Sequence, residues 1–139
     1  MDLAAAPILW SFDIDGTLAM GDPQGPLPAD FVRHVRAQGC IIGSASDRTL
    51  REQGDMWRLA GIEPDFVSAK HQLHRLRERF ACRRYVHVGD TLIDAQCAER
   101  AAFEFVSVFD MGGPILSRLD AAARLAALAA WFAEQASLG

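Results

Sequence analysis

The sequence predicts an α/β fold: a Rossmann-like, doubly wound and mostly parallel five-stranded sheet with helices on both faces, in one domain over residues 1–139. Three observations predict it. Short apolar runs of strand length alternate with longer segments of helical periodicity, the order that βαβ units with right-handed crossovers require. A chain of 139 residues supplies about one domain's core. A content of 50% hydrophobic and 23% charged residues is that of an ordinary globular chain and excludes bulk disorder.

The elements follow in order. Ile8-Leu9-Trp10-Ser11-Phe12 is an apolar run ending at Asp13, as expected of a first strand buried on both faces. Gly16, Gly21, Pro23, Gly25, Pro26 and Pro28 mark a loop, after which Pro28-Ala29-Asp30 opens a helix with Phe31, Val32 and Val35 on one side, stopping at Gly39. Cys40 to Ser44 reads as the second strand. Ser46 or Asp47 can cap a helix running through Leu50, Met56, Trp57 and Leu59 to Gly61. Asp65-Phe66-Val67 is a brief third strand, and the stripe of Leu73, Leu76 and Phe80 predicts a helix over 70–80. Strand Tyr85 to Val88, helix Leu92 to Ala102 and strand Phe103 to Val108 come next. The Ala- and Leu-rich tail from Pro114 to about Ala136 predicts the longest helix, with Pro114 in its first turn and Leu119, Leu125, Leu128 and Trp131 or Phe132 covering the sheet. No repeat or low-complexity linker divides the chain.

Composition narrows the function classes. A net charge of −4 argues against general affinity for nucleic acid or acidic membranes. Three cysteines, Cys40, Cys82 and Cys97, form no CxxC pair, so neither a disulfide framework nor a zinc knuckle is expected. The longest apolar stretch, Leu125 to Ala133, is far short of the roughly 20 residues that span a bilayer. Asp2, Asp13 and Asp15 fall where a signal peptide would be basic or apolar, and a cytoplasmic chain is expected.

In an open parallel sheet, functional groups gather beyond the carboxyl ends of the strands. Here those ends carry Asp13-Ile14-Asp15-Gly16-Thr17-Leu18, then Gly43-Ser44-Ala45-Ser46, then Lys70, then Gly89-Asp90-Thr91-Leu92-Ile93-Asp94. An EF-hand loop does not fit, because Gly16 is the fourth residue from Asp13 rather than the sixth, and Gln24 stands at the twelfth position. Asp13 with Asp15 and Asp90 with Asp94 would concentrate negative charge in one crevice, so a cation is expected. Oxygen ligands without clustered His or Cys favour Mg²⁺ over Zn²⁺. Lys70 is the single lysine among fourteen basic residues, which sets it apart from the arginine-bearing surface.

DIDGTL after a buried strand, a strand-end serine, a lone lysine and then GDTLID resembles the haloacid dehalogenase (HAD) superfamily, with four ordered motifs over about residues 8–94. The resemblance implies a single HAD-like hydrolase domain acting as a Mg²⁺-dependent phosphomonoester hydrolase. It implies Asp13 as the nucleophile that forms an aspartyl-phosphate and Asp15 as general acid and base. Lys70 would neutralise the transferring phosphoryl oxygens, and a strand-end hydroxyl would bind phosphate. For that hydroxyl Ser44 is preferred, with Ser46 the alternative. Asp13, the Asp15 carbonyl and Asp90 would ligate Mg²⁺, with Asp94 supporting that shell. Gly16, Thr17, Ser46 and Arg48 are the expected substrate contacts, with Met20, Asp22 and Gln24 as further candidates.

The superfamily's cap domains are inserted after the first motif or between the second and third, and neither gap here has room for one. A capless crevice would admit a phosphorylated small molecule or the exposed phosphorylated end of a larger one. His71 and His74 are expected on an exposed helix face, and His87 as a strand residue with a satisfied hydrogen bond. The rival readings are a non-enzymatic phosphoacceptor of receiver type and a HAD-like interaction protein. A receiver carries its lysine after its Ser/Thr near the chain's end, whereas Lys70 precedes Asp90.

Overall fold

The computed structural model describes residues 3–137. Five strands, β1 (Ile8–Phe12), β2 (Ile41–Ser46), β3 (Phe66–Ala69), β4 (Arg84–Gly89) and β5 (Glu104–Ser107), form one sheet in the order β3-β2-β1-β4-β5. All four pairings are parallel, so the sheet is wholly rather than mostly parallel. The helices are α1 (Ala29–Ala37), α2 (Leu50–Leu59), α3 (His74–Arg79), α4 (Leu92–Arg100) and α5 (Ala121–Ser137).

Handedness distributes the helices. From β1 the chain steps to β2 and then β3 in one direction, so right-handed crossovers put α1 and α2 on one face. It then returns past β1 to β4 and β5, which puts α3 and α4 on the other. The core divides accordingly. Trp10, Phe12, Ile42 and Val86 pack with Phe31, Trp57, Leu128 and Phe132, whereas Leu9, Ala45, Phe66 and Tyr85 pack with Leu73, Leu76 and Ala98. Alternation along β1 and β4 therefore sends Ser11 and His87 to the α3/α4 face, and their register makes them direct neighbours.

Several boundaries differ from the sequence reading for local reasons. Strand β2 runs on to Ser46, because Ala45 and Ser46 pair with Ser68 and Ala69 of β3. Helix α2 is capped by Thr49 and not by Ser46 or Asp47: the Thr49 hydroxyl accepts from the Glu52 N–H while the Glu52 carboxylate accepts from the Thr49 N–H. Segment 70–80 is a 3₁₀ turn over Lys70–Gln72 followed by a short α3, so Lys70 sits at the end of β3 and not within a helix. The last helix begins seven residues later than Pro114, because Asp120 caps it by accepting from the Ala123 N–H at 2.8 Å. Among the described residues, no helix is long and apolar enough to cross a membrane.

Candidate active site

Strands β1 and β4 lie side by side where the chain reverses its direction of winding, and a crevice opens beyond their carboxyl ends. It has a volume of about 310 Å³, and its walls include Asp13, Asp15, Ser46, Asp47, Lys70 and Asp90, with Ile93 beside them. A larger depression of about 610 Å³ lies at the opposite end of the strands, against Ile8, His34, Cys40 and Phe132, and has no acidic residue in its lining among the described residues. Chemistry, not size, marks the first as the candidate site.

Asp13 follows β1 directly, and its N–H donates to the Val88 carbonyl at 2.8 Å, which extends the pairing with β4 by one residue. Its carboxylate is thereby held beside Asp90, with Asp13 only 4% exposed. The turn that follows needs Gly16. Its φ is +77°, and a Cβ there would fall 2.0 Å from Asp90 Oδ2. Gly16, expected as a substrate contact, allows Asp90 to close against the first loop.

Lys70 enters from β3 with its ammonium buried. Its Nζ lies 3.4 Å from Asp13 Oδ1, 3.0 Å from Asp94 Oδ1 and 3.7 Å from Asp47 Oδ2. Asp94 is the third residue of α4, and both its oxygens are engaged. Oδ1 takes His87 Nε2 at 2.9 Å and Lys70, while Oδ2 takes the Thr91 hydroxyl at 2.8 Å and the Thr91 N–H at 3.2 Å. Asp15 lies on the other flank. Arg48 Nε donates to its two oxygens at 3.1 and 2.9 Å, and the Asp22 N–H donates to it at 2.8 Å.

The electrostatics follow from this crowding. Burial and the Asp94 charge raise the Asp13 carboxyl to about 8, with a hydrogen bond donated by the protonated Asp13 carboxyl to Asp90 adding to the rise and Lys70 and the Ile14 N–H opposing it. Burial acts to lower the Lys70 ammonium, but Asp13 and Asp94 outweigh it and hold it above its ordinary value. Burial acts to raise Asp94, yet the bonds from His87 and Thr91 and the Lys70 charge keep it well below the usual carboxylate range. Burial lowers His87 against the pull of Asp94, so the ring is neutral and carries one N–H.

One oxygen from each of Asp13, Asp90 and Asp94 lies within 4.8 Å of the others, and this trio could hold a cation. The three are not equivalent. Asp94 has four donors on it already, about the full capacity of a carboxylate, whereas Asp90 Oδ1 is buried with no hydrogen-bond partner among the described residues. An orphaned carboxylate oxygen beside a carboxyl that must hold a proton to coexist with it is the environment a hard cation relieves. The free acceptor capacity is on Asp13 and Asp90, and Asp94, expected to support the metal shell, is held by His87, Thr91 and Lys70.

Other expected contacts are placed differently. Ser44 is fully buried: its hydroxyl donates to Gln53 Oε1 at 2.6 Å and accepts from Trp57 Nε1 at 2.8 Å on the α2 side of the sheet. Ser46, two residues on and at the true end of β2, is the serine that reaches the crevice. Thr17 is buried beneath the first loop, where its carbonyl accepts from the Leu27 N–H and its hydroxyl reaches no crevice wall. Arg48 is engaged by Asp15 and Glu52 and not directed at open space. His71 and His74 are exposed. Sequence reasoning missed Asp47 and the cap on α4. The signal for the cap was present, since Thr91-Leu92-Ile93-Asp94 has the spacing of a capping box. Comparison with family models and with curated proteins returns no match for this chain.

Proposed function

We propose that this chain is a capless hydrolase of the HAD superfamily that cleaves phosphomonoesters through a phosphorylated Asp13, with Mg²⁺ held by Asp13 and Asp90. The observation that carries the reading is the meeting of Asp13, Asp90 and Lys70 at the reversal point of the sheet, with Lys70 Nζ 3.4 Å from Asp13 Oδ1 and Asp90 Oδ1 unpartnered. The all-oxygen donor pair fits a small hard cation, and the resemblance to the superfamily would add the main-chain carbonyl of Asp15 as a third donor. When bound, the cation supplies the positive charge that lets a carboxylate approach a phosphate dianion.

The chain's own groups account for the remaining chemistry. An Asp13 oxygen attacks phosphorus and the bond to the leaving oxygen breaks, with Asp15 giving that oxygen its proton. Water, losing a proton to Asp15, then attacks the same phosphorus, the Asp13–phosphate bond breaks and inorganic phosphate leaves. Lys70 holds the charge on the phosphoryl oxygens, and the Ser46 hydroxyl, which accepts from the Arg48 N–H at 3.0 Å, keeps its own proton available to a phosphate oxygen. Arg48 orients Asp15, and its contact must part before Asp15 can donate. With no cap over the crevice, the substrate is a phosphorylated small molecule or the exposed phosphorylated end of a larger one.

The test is turnover of para-nitrophenyl phosphate with and without Mg²⁺. The expected result is cleavage that needs the ion and is abolished in Asp13→Asn with the fold intact. Full activity in that variant overturns the assignment. Stoichiometric phosphorylation without turnover would place the chain with phosphoacceptors.

A further inference from the structure

A polar chain runs behind the crevice through the α3/α4 side of the sheet, and the reaction described above does not use its inner half. Ser11 and His87 are paired on neighbouring strands, with Ser11 Oγ 3.0 Å from His87 Nδ1. His87 Nε2 is 2.9 Å from Asp94 Oδ1, Asp94 Oδ1 is 3.0 Å from Lys70 Nζ, and Lys70 is 3.4 Å from Asp13. Ser11, His87 and Asp94 are each 0% exposed. A strand facing an apolar helix layer needs no such groups, and burying two unpartnered polar side chains there would be costly.

We propose that His87, seated by Ser11, is a positioning residue that fixes Asp94 and through it sets where the Lys70 ammonium stands relative to Asp13. The inference rests on the hydrolase reading for its kinetic consequence but not for its geometry. Asp94 is an acceptor only, so the single ring proton of a neutral His87 lies on Nε2 and Nδ1 accepts from the Ser11 hydroxyl. Asp94 Oδ1 then has two donors from opposite sides, one rigid and one flexible. The imidazole is packed in the sheet and cannot move, whereas the lysine stem can. With the imidazole absent, Asp94 is free to turn and Lys70 to follow it away from Asp13. Thr91 holds only the other oxygen, Oδ2, and cannot prevent this.

The experiment uses His87→Leu, which fills similar space without a donor, and His87→Gln, whose amide N–H₂ reaches toward the Nε2 position. Lys70 is the only lysine in the chain, so ¹⁵N-lysine labelling yields one side-chain ammonium signal without any turnover. That signal is expected to be sheltered from exchange in the wild type, shifted or lost in His87→Leu, and retained in His87→Gln. With para-nitrophenyl phosphate and Mg²⁺, His87→Leu is expected to lower kcat by 10- to 100-fold with KM within about twofold, and His87→Gln to stay within about threefold of wild type. In a Lys70→Met background, His87→Leu should cost no further activity. An unchanged Lys70 signal with unchanged kcat in His87→Leu overturns the proposal. So does equal loss in the Leu and Gln variants. Should His87→Leu fail to fold, Ser11→Ala reads the same chain: a displaced Lys70 signal supports the proposal and an unmoved one overturns it. An inactive wild type with the expected lysine signals would overturn the hydrolase reading alone.

Discussion

Asp13 is buried beside Asp90 and Asp94 with one lysine to balance three carboxyl groups, and that imbalance has a measurable consequence. With its carboxyl raised to about 8 in the folded protein, Asp13 keeps a proton that the unfolded chain has already released above about pH 4. The folded state then binds more protons, so metal-free stability falls as pH rises through this window and levels off above about 8. Thermal melting from pH 6.5 to 8 should show a steeper fall in wild type than in Asp13→Asn, because every other titrating group is common to the two proteins and cancels in the difference. The variant should be the more stable protein at pH 8, by about 1–2 kcal/mol or several degrees in Tm. A second prediction separates the two serines. Ser44→Ala leaves buried groups of Gln53 and Trp57 without a partner and should cost about 1–3 kcal/mol of stability with little change in turnover. Ser46→Ala should leave Tm alone and lower kcat/KM by about tenfold. The sequence presents both serines on an equal footing. Their spacing of two puts both on one face, and only the length of β2 decides which of them lies past the sheet.

At the scale of elements, the same capping device serves two ends. Thr49 with Glu52 closes α2, and Thr91 with Asp94 closes α4, but only the second brings its carboxylate into the crevice region. Thr49→Ala and Thr91→Ala should each cost about 1 kcal/mol in chemical denaturation. Thr91→Ala alone should also weaken turnover, because it removes both the hydroxyl on Asp94 Oδ2 and the cap that orients the helix start. The pair is thus its own control. Element order and type were legible throughout: five strands and five helices alternate as the apolar runs and helical stripes indicate. Boundaries were legible where a side chain marks them, as at Gly39 after α1. They were misread where a pairing partner or a cap outweighs propensity, as at Ser46 and Asp120. The 3₁₀ turn at Lys70 is of the same kind. Its stripe of Leu73 and Leu76 is genuine and buried, yet the chain reaches it through a tight turn that leaves Lys70 at the mouth of β3.

For the molecule as a whole, topology assembles the site. Carboxylates 77 positions apart, at Asp13 and Asp90, meet because β1 and β4 are neighbours in the sheet. Gly16 permits that approach, so Gly16→Ala should both strain the turn by about 1–2 kcal/mol and displace Asp90, lowering Mg²⁺ affinity at least tenfold by calorimetry. The ion itself should raise Tm, since it binds the assembled site and not the separated carboxylates of the unfolded chain. Its apparent affinity should rise from pH 6 to 8 as the Asp13 proton it displaces becomes easier to remove, and the released proton should appear in calorimetry in buffers of different ionisation enthalpy.

Local chemistry was written in the order of residues: which runs are strands, which are helices, that the sheet is parallel, and that acidic groups and one lysine stand at strand ends. These follow from periodicity and side-chain type, which are properties of neighbours along the chain. Which serine reaches the crevice, which aspartates keep a free oxygen and which residues stand behind Lys70 depended on partners far away in sequence. Those were decided by strand register and crossover handedness, because a hydrogen bond is satisfied or left open only by what the fold places within about 3 Å of it.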